Sequence, residues 1–174
     1  MKIGRLILRV TVGALFFGHG TQKLFGWFGG HGLDSTAQAF EALGLRPGRR
    51  NAIAAGVAEA GGGALLASGY ATPLAASTLT ATMITAIETV HGKKGPWLTN
   101  GGYEYNVVLI AAVLTLAEVS GERPGSHRAL LALLAGAAGA FGAHMAAEAA
   151  APAPTPAAGA EAGSDGAQEA VQTG

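Results

Sequence analysis

The sequence predicts an all-α fold, an up-and-down bundle of four membrane-spanning helices. Three observations lead there. Only 13% of the 174 residues are charged, against 49% apolar, and the mean hydropathy is +0.34. Soluble domains carry roughly 25% charged residues, so this chain has about half the charge that an aqueous surface needs. Its 28 glycines sit inside long apolar runs, as expected where helices approach closely in lipid. Four apolar runs each reach about 17–25 residues, the length that crosses ~30 Å of hydrocarbon. Four such helices folded as a soluble core would leave too little polar sequence to surround them.

The first span is read from Ile3 to Phe28, opened by Lys2, Arg5 and Arg9. A signal peptide competes for this stretch. Its cleavage site would be Gly-His-Gly at 18–20 rather than Ala-x-Ala, and further spans follow, so a span is preferred. A loop from Gly29 to Arg50 carries Asp34, Glu41, Arg46, Arg49 and Arg50, with a short amphipathic helix expected from Ser35 to Leu43. The second span, Asn51 to Ser68, holds Glu59 as its only charge. Gly69 to Pro73 reads as a tight turn, with Pro near the start of the next helix. The third span runs from Pro73 to Val90, and the polar segment from His91 to Gly102 leads to the fourth, Tyr103 to Val119.

Residues 1–120 therefore make up the bundle. Residues 121–148 are apolar and Ala/Gly-rich, and Ala129 to Ala147 reads either as a weak fifth span or as a helix lying on the surface. Residues 149–174 hold Glu161, Asp165 and Glu169 with no Lys or Arg and no aromatic, and read as a disordered tail. The formal net charge is +0. No basic patch interleaves with aromatics, so nucleic acid is not an expected partner. The lack of cysteine excludes disulfides, thiol redox chemistry and iron–sulfur clusters carried by this chain.

Polar residues in lipid are costly and should face the bundle or a cavity. At 100° per residue, Arg5, Arg9, Val12, Phe16, His19 and Lys23 fall within about 40° of one line on the first helix. Up-and-down threading brings the end of helix 1, the start of helix 2, the end of helix 3 and the start of helix 4 to one side. Those ends hold the expected polar cluster: His19, Gln22, Lys23, Glu59, Thr85, Glu88, Tyr103, Glu104 and Asn106. His19 and Glu59 should lie level, ~12–14 Å deep, so Glu59 pairs with His19 or with an inward-reaching Lys23. A lone carboxylate at that depth is a functional candidate by default. Glu59, His19 and Lys23 are the catalytic candidates, with structural pairing the competing role.

Thr78, Thr82, Thr85 and Thr89 form a stripe expected to bond carbonyls of their own helix. Trp27, Trp97, Tyr103 and Tyr105 read as an interfacial aromatic belt. Gly61-Gly62-Gly63 serves close contact or a kink, not phosphate binding, since no strand precedes it and no Lys-Ser/Thr follows. No metal site is expected. Heme is disfavoured because, of His19, His91, His127 and His144, only the first two share a membrane side.

Several motifs together resemble the DoxX family of small membrane proteins. They are Arg9, Gly13, Leu15-Phe16, the run from His19 to Gly26, Leu43-Gly44-Leu45, Ala58 to Gly62, and Trp97-Leu98-Thr99-Asn100-Gly101-Gly102-Tyr103-Glu104-Tyr105. The resemblance covers about residues 3–120. It implies a four-helix membrane bundle and a redox link, because the family is named for a subunit of an archaeal thiosulfate:quinone oxidoreductase. It carries over no catalytic residues.

Two functions follow as expectations. In one, the chain is a membrane subunit of a quinone-linked redox complex, with Glu59 accepting protons, His19 relaying them, Lys23 tuning the carboxylate, and a partner protein supplying the redox centre. In the other, it is a non-catalytic scaffold or small-molecule-binding bundle, its polar cluster fixing helix register. The expected location is the cell membrane, with the N-terminus cytoplasmic. Lys2, Arg5, Arg9, Arg123 and Arg128 then lie inside, against Arg46, Arg49, Arg50, Lys93 and Lys94 outside.

Overall fold

The computed structural model describes residues 3–120 and 127–150. Within them the fold is all-α, with no strand. The long helices are α1 (Ile3–Phe25), α3 (Gly48–Ser68), α4 (Thr72–Ala86), α5 (Glu104–Glu118) and α6 (Arg128–Ala149), and a shorter α2 (Gly32–Ala42) links α1 to α3.

Helix ends follow local chemistry. Helix α1 stops three residues before the expected Phe28, because Gly26 turns left-handed at φ 72°. The Gln22 side chain then donates to the Phe28 carbonyl at 3.1 Å, holding the chain reversal. Helix α2 begins three residues before the expected Ser35 and lies across the start of α3. There Glu41 Oε1 accepts the Gly48 amide at 2.5 Å, placing a carboxylate where the dipole of α3 favours one. Helix α3 starts at Gly48 rather than Asn51, so Asn51 sits one turn inside it. It ends at Gly69, whose φ of +77° closes the last turn on Leu65 and Leu66.

Helix α4 carries Pro73 in its first turn. Beyond Ala86 it does not continue as α-helix to Val90 but widens into a π-helical turn over Ile87–His91. Such widening is common at functional sites. His91 Nδ1 meets the Gly101 carbonyl at 2.7 Å, tying this turn to the loop before α5.

Helices α1 and α3 are antiparallel neighbours that meet through glycine. Gly13 and Gly20 on α1, and Gly56 and Gly63 on α3, are each seven residues apart. A methyl group at Gly63 would come 2.5 Å from the Gly13 carbonyl oxygen, and one at Gly13 would come 2.7 Å from that of Gly63. Small residues let the two backbones touch. In the Gly61-Gly62-Gly63 run, Gly62 and Gly63 meet α4 and α1 respectively, whereas Gly61 faces open space. Helix α3 runs unbroken through it.

Helix α6 lies along α4, with Gly136 against Ser77 and Thr80. Its buried residues are Ala132, Gly136, Ala140 and Ala147, all small. The core sits mid-bundle among Val12, Phe16, Leu66, Leu79, Val113 and Leu116. The outside is apolar as well: Ile3, Ile7, Val57, Leu74, Val108, Leu131, Leu134 and Phe141 are all more than half exposed.

At the N-terminal end of α1, Arg5 Nη1 donates to the Val119 carbonyl at 2.8 Å, and the Arg9 guanidinium lies against Gly69. Each cation thus meets the C-terminal end of a helix, where the dipole favours positive charge. Of the tail expected from residue 149, Ala149 and Ala150 close α6, and the rest, like residues 121–126, lies outside the described residues.

Candidate functional site

The opposite end of the bundle holds the polar centre. Lys23 and Glu59 stand on the facing sides of α1 and α3. Glu59 is 5% exposed, and its Oε2 lies 2.5 Å from Lys23 Nζ. Of the two partners expected for this carboxylate, Lys23 is the one that reaches it. The geometry follows from the glycine contacts. Gly20 and Gly56 bring α1 and α3 so close that Lys23, one turn nearer the helix end than Gly20, can extend inward to Glu59. Burying an ion pair costs several kcal/mol per charge before the attraction returns it, so this pair is not a cheap way to stabilise a bundle.

The pair borders a cavity of about 550 Å³, within the range of small-molecule sites. Every long helix and α2 contribute to its wall. Lys23, Glu59, His19, Thr85 and Asn106 line it, and they are joined by Asn51, His91 and Tyr105. Most of the remaining surface is apolar, including Phe16, Phe40, Leu45, Met83 and Leu109. His19 has no hydrogen bond to Glu59; it is an accessible ring on the cavity wall. Asn106 is buried, and its amide nitrogen reaches only the Met83 sulfur, at 3.4 Å. The Asn51 amide nitrogen is also buried and has no hydrogen-bond partner among the described residues. Leaving such a donor unpaired costs about 1–3 kcal/mol, a penalty that a ligand oxygen would remove.

Four residues of the expected cluster are not in the cavity wall. Gln22 is spent on the Phe28 carbonyl. Glu104 accepts the Leu98 amide at 2.8 Å, bracing the loop before α5. Glu88 is exposed on the π-helical turn, and Tyr103 stands half-buried in the same loop as Glu104. All four sit at helix ends, where backbone groups left unpaired by the helix and nearby water compete for their polar atoms. The threonine stripe divides too. Thr78 and Thr82 donate to carbonyls three residues back, and Thr89 to one four back, while all of them edge the cavity.

Asn51, His91 and Tyr105 also line the cavity; His91 is expected on the same membrane side as His19, and Tyr105 in the aromatic belt there, so of the three only Asn51 is missed by sequence reasoning. Asn51 was placed at a helix end, and only the earlier start of α3 puts it inside. His91 gave a signal, a histidine at the end of an apolar helix. Its position in the wall depends on the π-helical turn. Among the described residues, no group of three His, Asp or Glu side chains comes together as a metal site would require.

The DoxX family model matches residues 4–92. The chain belongs to the DoxX family. The matched span takes in α1 to α4 and stops before α5, so the run from Asn100 to Tyr105, which resembles the family, lies beyond it. DoxX is a membrane-associated family. A relative from Bacillus subtilis (strain 168), named "Putative oxidoreductase CatD", is 36% identical to this DoxX chain over 115 residues, which cover 66% of it and 79% of the relative. No solved structure matches it.

Proposed function

We propose that this DoxX protein is a multi-pass integral membrane protein of the cell membrane, and the quinone-binding subunit of a redox complex. The observation that carries the reading is the Lys23–Glu59 pair set in the wall of a largely apolar cavity of about 550 Å³. Largely apolar pockets with a few convergent polar groups are the usual form of small-molecule sites.

Membrane insertion is supported by the outer surface. Helices α1 and α6 are long and apolar enough to cross a bilayer, yet only 22% and 17% of their apolar windows are buried in the fold. A core helix of a soluble protein would be mostly buried. Helices α1, α3, α4 with its π-helical turn, and α5 form the up-and-down bundle, and α6 joins as a further span. The N-terminus is cytoplasmic, so the cavity end lies in the outer half of the membrane.

A quinone accepts electrons together with protons, and it fits the wall in both respects. Its ring suits the apolar surface, and its oxygens suit the amides of Asn51 and Asn106. In this reading Glu59 holds and passes a proton, Lys23 keeps its carboxylate in place, and His19 and His91 are rings that can carry protons between the site and the membrane face. His91 is pre-oriented, because the Gly101 carbonyl engages Nδ1 and leaves Nε2 free. The electrons come from a partner protein, since the sequence has neither cysteine nor a nucleotide-binding fingerprint. The name of the Bacillus subtilis relative is consistent with such a link.

The experiment is extraction of the full chain in mild detergent, followed by absorption spectroscopy and mass spectrometry of what stays bound. A retained lipid-soluble quinone is expected. A heme band in its place, or failure to retain or rebind any quinone, overturns the reading.

A further inference from the structure

Helices α1 and α5 are joined at the end away from the cavity, where Arg5 Nη1 donates to the Val119 carbonyl at 2.8 Å. At the cavity end each is held by a different neighbour. Gly20 of α1 packs on Gly56 and Ala60 of α3, and Lys23 reaches Glu59 there. The Asn106 amide of α5 meets Met83 of α4, and the Gly101 carbonyl just before α5 meets His91. Among the described residues, no hydrogen bond or ion pair crosses from α1 to α5 at this end.

His19 and Tyr105 face one another across the seam left between them. His19 is 14 residues beyond Arg5, and Tyr105 is 14 residues before Val119. On antiparallel helices the two therefore lie level, about 21 Å from the joint. Fourteen residues are also close to four whole turns, so each lies within about 40° of the residue that makes the joint, on the same side of its helix.

Both line the cavity, yet His19 is exposed and Tyr105 is 43% exposed. One turn nearer the joint the seam is shut. Phe16 and Leu109, which also line the cavity, are 2% and 9% exposed. The cavity thus opens sideways over a sill of Phe16 and Leu109, and beside the opening stand Leu15 and Val108, exposed and apolar. His19 is six residues inside the end of α1, about 9 Å. A polar ring left exposed at that depth of a membrane span is costly, and neither His19 nor Tyr105 has a side-chain hydrogen bond among the described residues.

We propose that the ligand enters the cavity sideways from the bilayer, between His19 and Tyr105, and that its hydrocarbon tail stays in this opening. Its oxygen-bearing ring stops at Glu59, which is level with His19 because Gly20 packs on Gly56 and Ala60. The imidazole and the phenol offer its oxygens hydrogen bonds on the way in. The tail never leaves an apolar medium, so the roughly 0.8 kcal/mol that each methylene would lose in water is kept. Other exposed residues also line the cavity: Ala54 and Gly139 on either side of α4, and Leu43 and Leu98 at the outer mouth. None of these four has a polar side chain, whereas the seam between α1 and α5 offers both chemistries that an apolar, oxygen-bearing ligand needs. The inference rests on the quinone reading and adds to it the route of entry and the place of the tail.

The test uses the full parent chain in phosphatidylcholine vesicles, photolabelled with a benzoquinone whose decyl tail ends in a diazirine. Saturable labelling is the part that excess decylubiquinone removes, and peptide mass spectrometry locates it. It should fall on Leu15, Val108 and their neighbours along the lipid-facing edges of α1 and α5. Saturable labelling confined to the cavity interior at Thr82 and Met83, to Ala54 and Gly139, or to Leu43 and Leu98 overturns this placement while the quinone reading stands. Absence of any saturable labelling overturns it too, and thermal melting with decylubiquinone then decides the rest. A raised midpoint keeps the quinone reading, and an unchanged one ends it.

Discussion

Lys23 and Glu59 are 36 residues apart in the chain, yet Lys23 Nζ lies 2.5 Å from Glu59 Oε2. Their side chains are unequally covered, 26% exposed for Lys23 and 7% for Glu59. The lysine can regain some water if its partner is lost, and the glutamate cannot. That asymmetry makes the two single substitutions different experiments.

Lys23→Met should cost the more, about 3–5 kcal/mol, because it leaves a buried carboxylate without its counter-charge. Glu59→Gln should cost less, about 1–3 kcal/mol, since glutamine can still accept a hydrogen bond from Lys23. The double variant should recover part of the loss, as contacting residues do not add. Denaturation midpoints of the three proteins in one detergent test this ordering. If Glu59→Gln is the more damaging, the pair is not arranged as described.

Glu59→Gln also separates chemistry from architecture. Under the proposed quinone reading Glu59 handles the proton, and partner-dependent quinone reduction by Glu59→Gln should then fall by at least about tenfold while the variant remains folded. General acid–base groups typically contribute about 10²–10⁴-fold. Turnover equal to the parent would leave the carboxylate with a structural role alone.

The glycines of α3 should respond in opposite directions. Gly63→Ala forces a methyl group to within 2.5 Å of the Gly13 carbonyl, and such overpacking costs about 1–3 kcal/mol. Gly61→Ala, which meets open space, should be neutral or gain up to about 1 kcal/mol in helix stability. Thermal melts of these neighbouring variants are the measurement. Equal destabilisation would contradict the α1–α3 contact.

Gly69→Ala meets two obstacles, a left-handed backbone at φ +77° and the Arg9 guanidinium against it. The backbone share is about 1–2 kcal/mol. In an Arg9→Ala background the penalty should shrink towards that share, whereas an unchanged penalty would mean that Arg9 does not press on the turn.

Membrane orientation can be read by single-cysteine labelling, because the chain has no cysteine of its own. In intact cells, Asn100→Cys should react with a membrane-impermeant maleimide. Ser120→Cys should react only after permeabilisation. The reverse pattern would place the N-terminus outside.

What the sequence determined by itself was local. Apolar run lengths, the isolated Glu59, the turn from Gly69 to Pro73 and the small-residue runs all act within one or two helical turns, which is the range over which backbone and side-chain spacing set a helix. The arginines of α1 were legible as a stripe for the same reason. The tertiary structure decided what depends on how helices rotate and how far side chains reach: Lys23 rather than His19 as the partner of Glu59, the cavity, the capture of Gln22 and Glu104 by loop backbone, and the docking of α6 along α4. Those outcomes hinge on close backbone contacts at Gly20, Gly56 and Gly136. A glycine states in the sequence only that a side chain is missing, and what fills the space depends on which helix lies opposite.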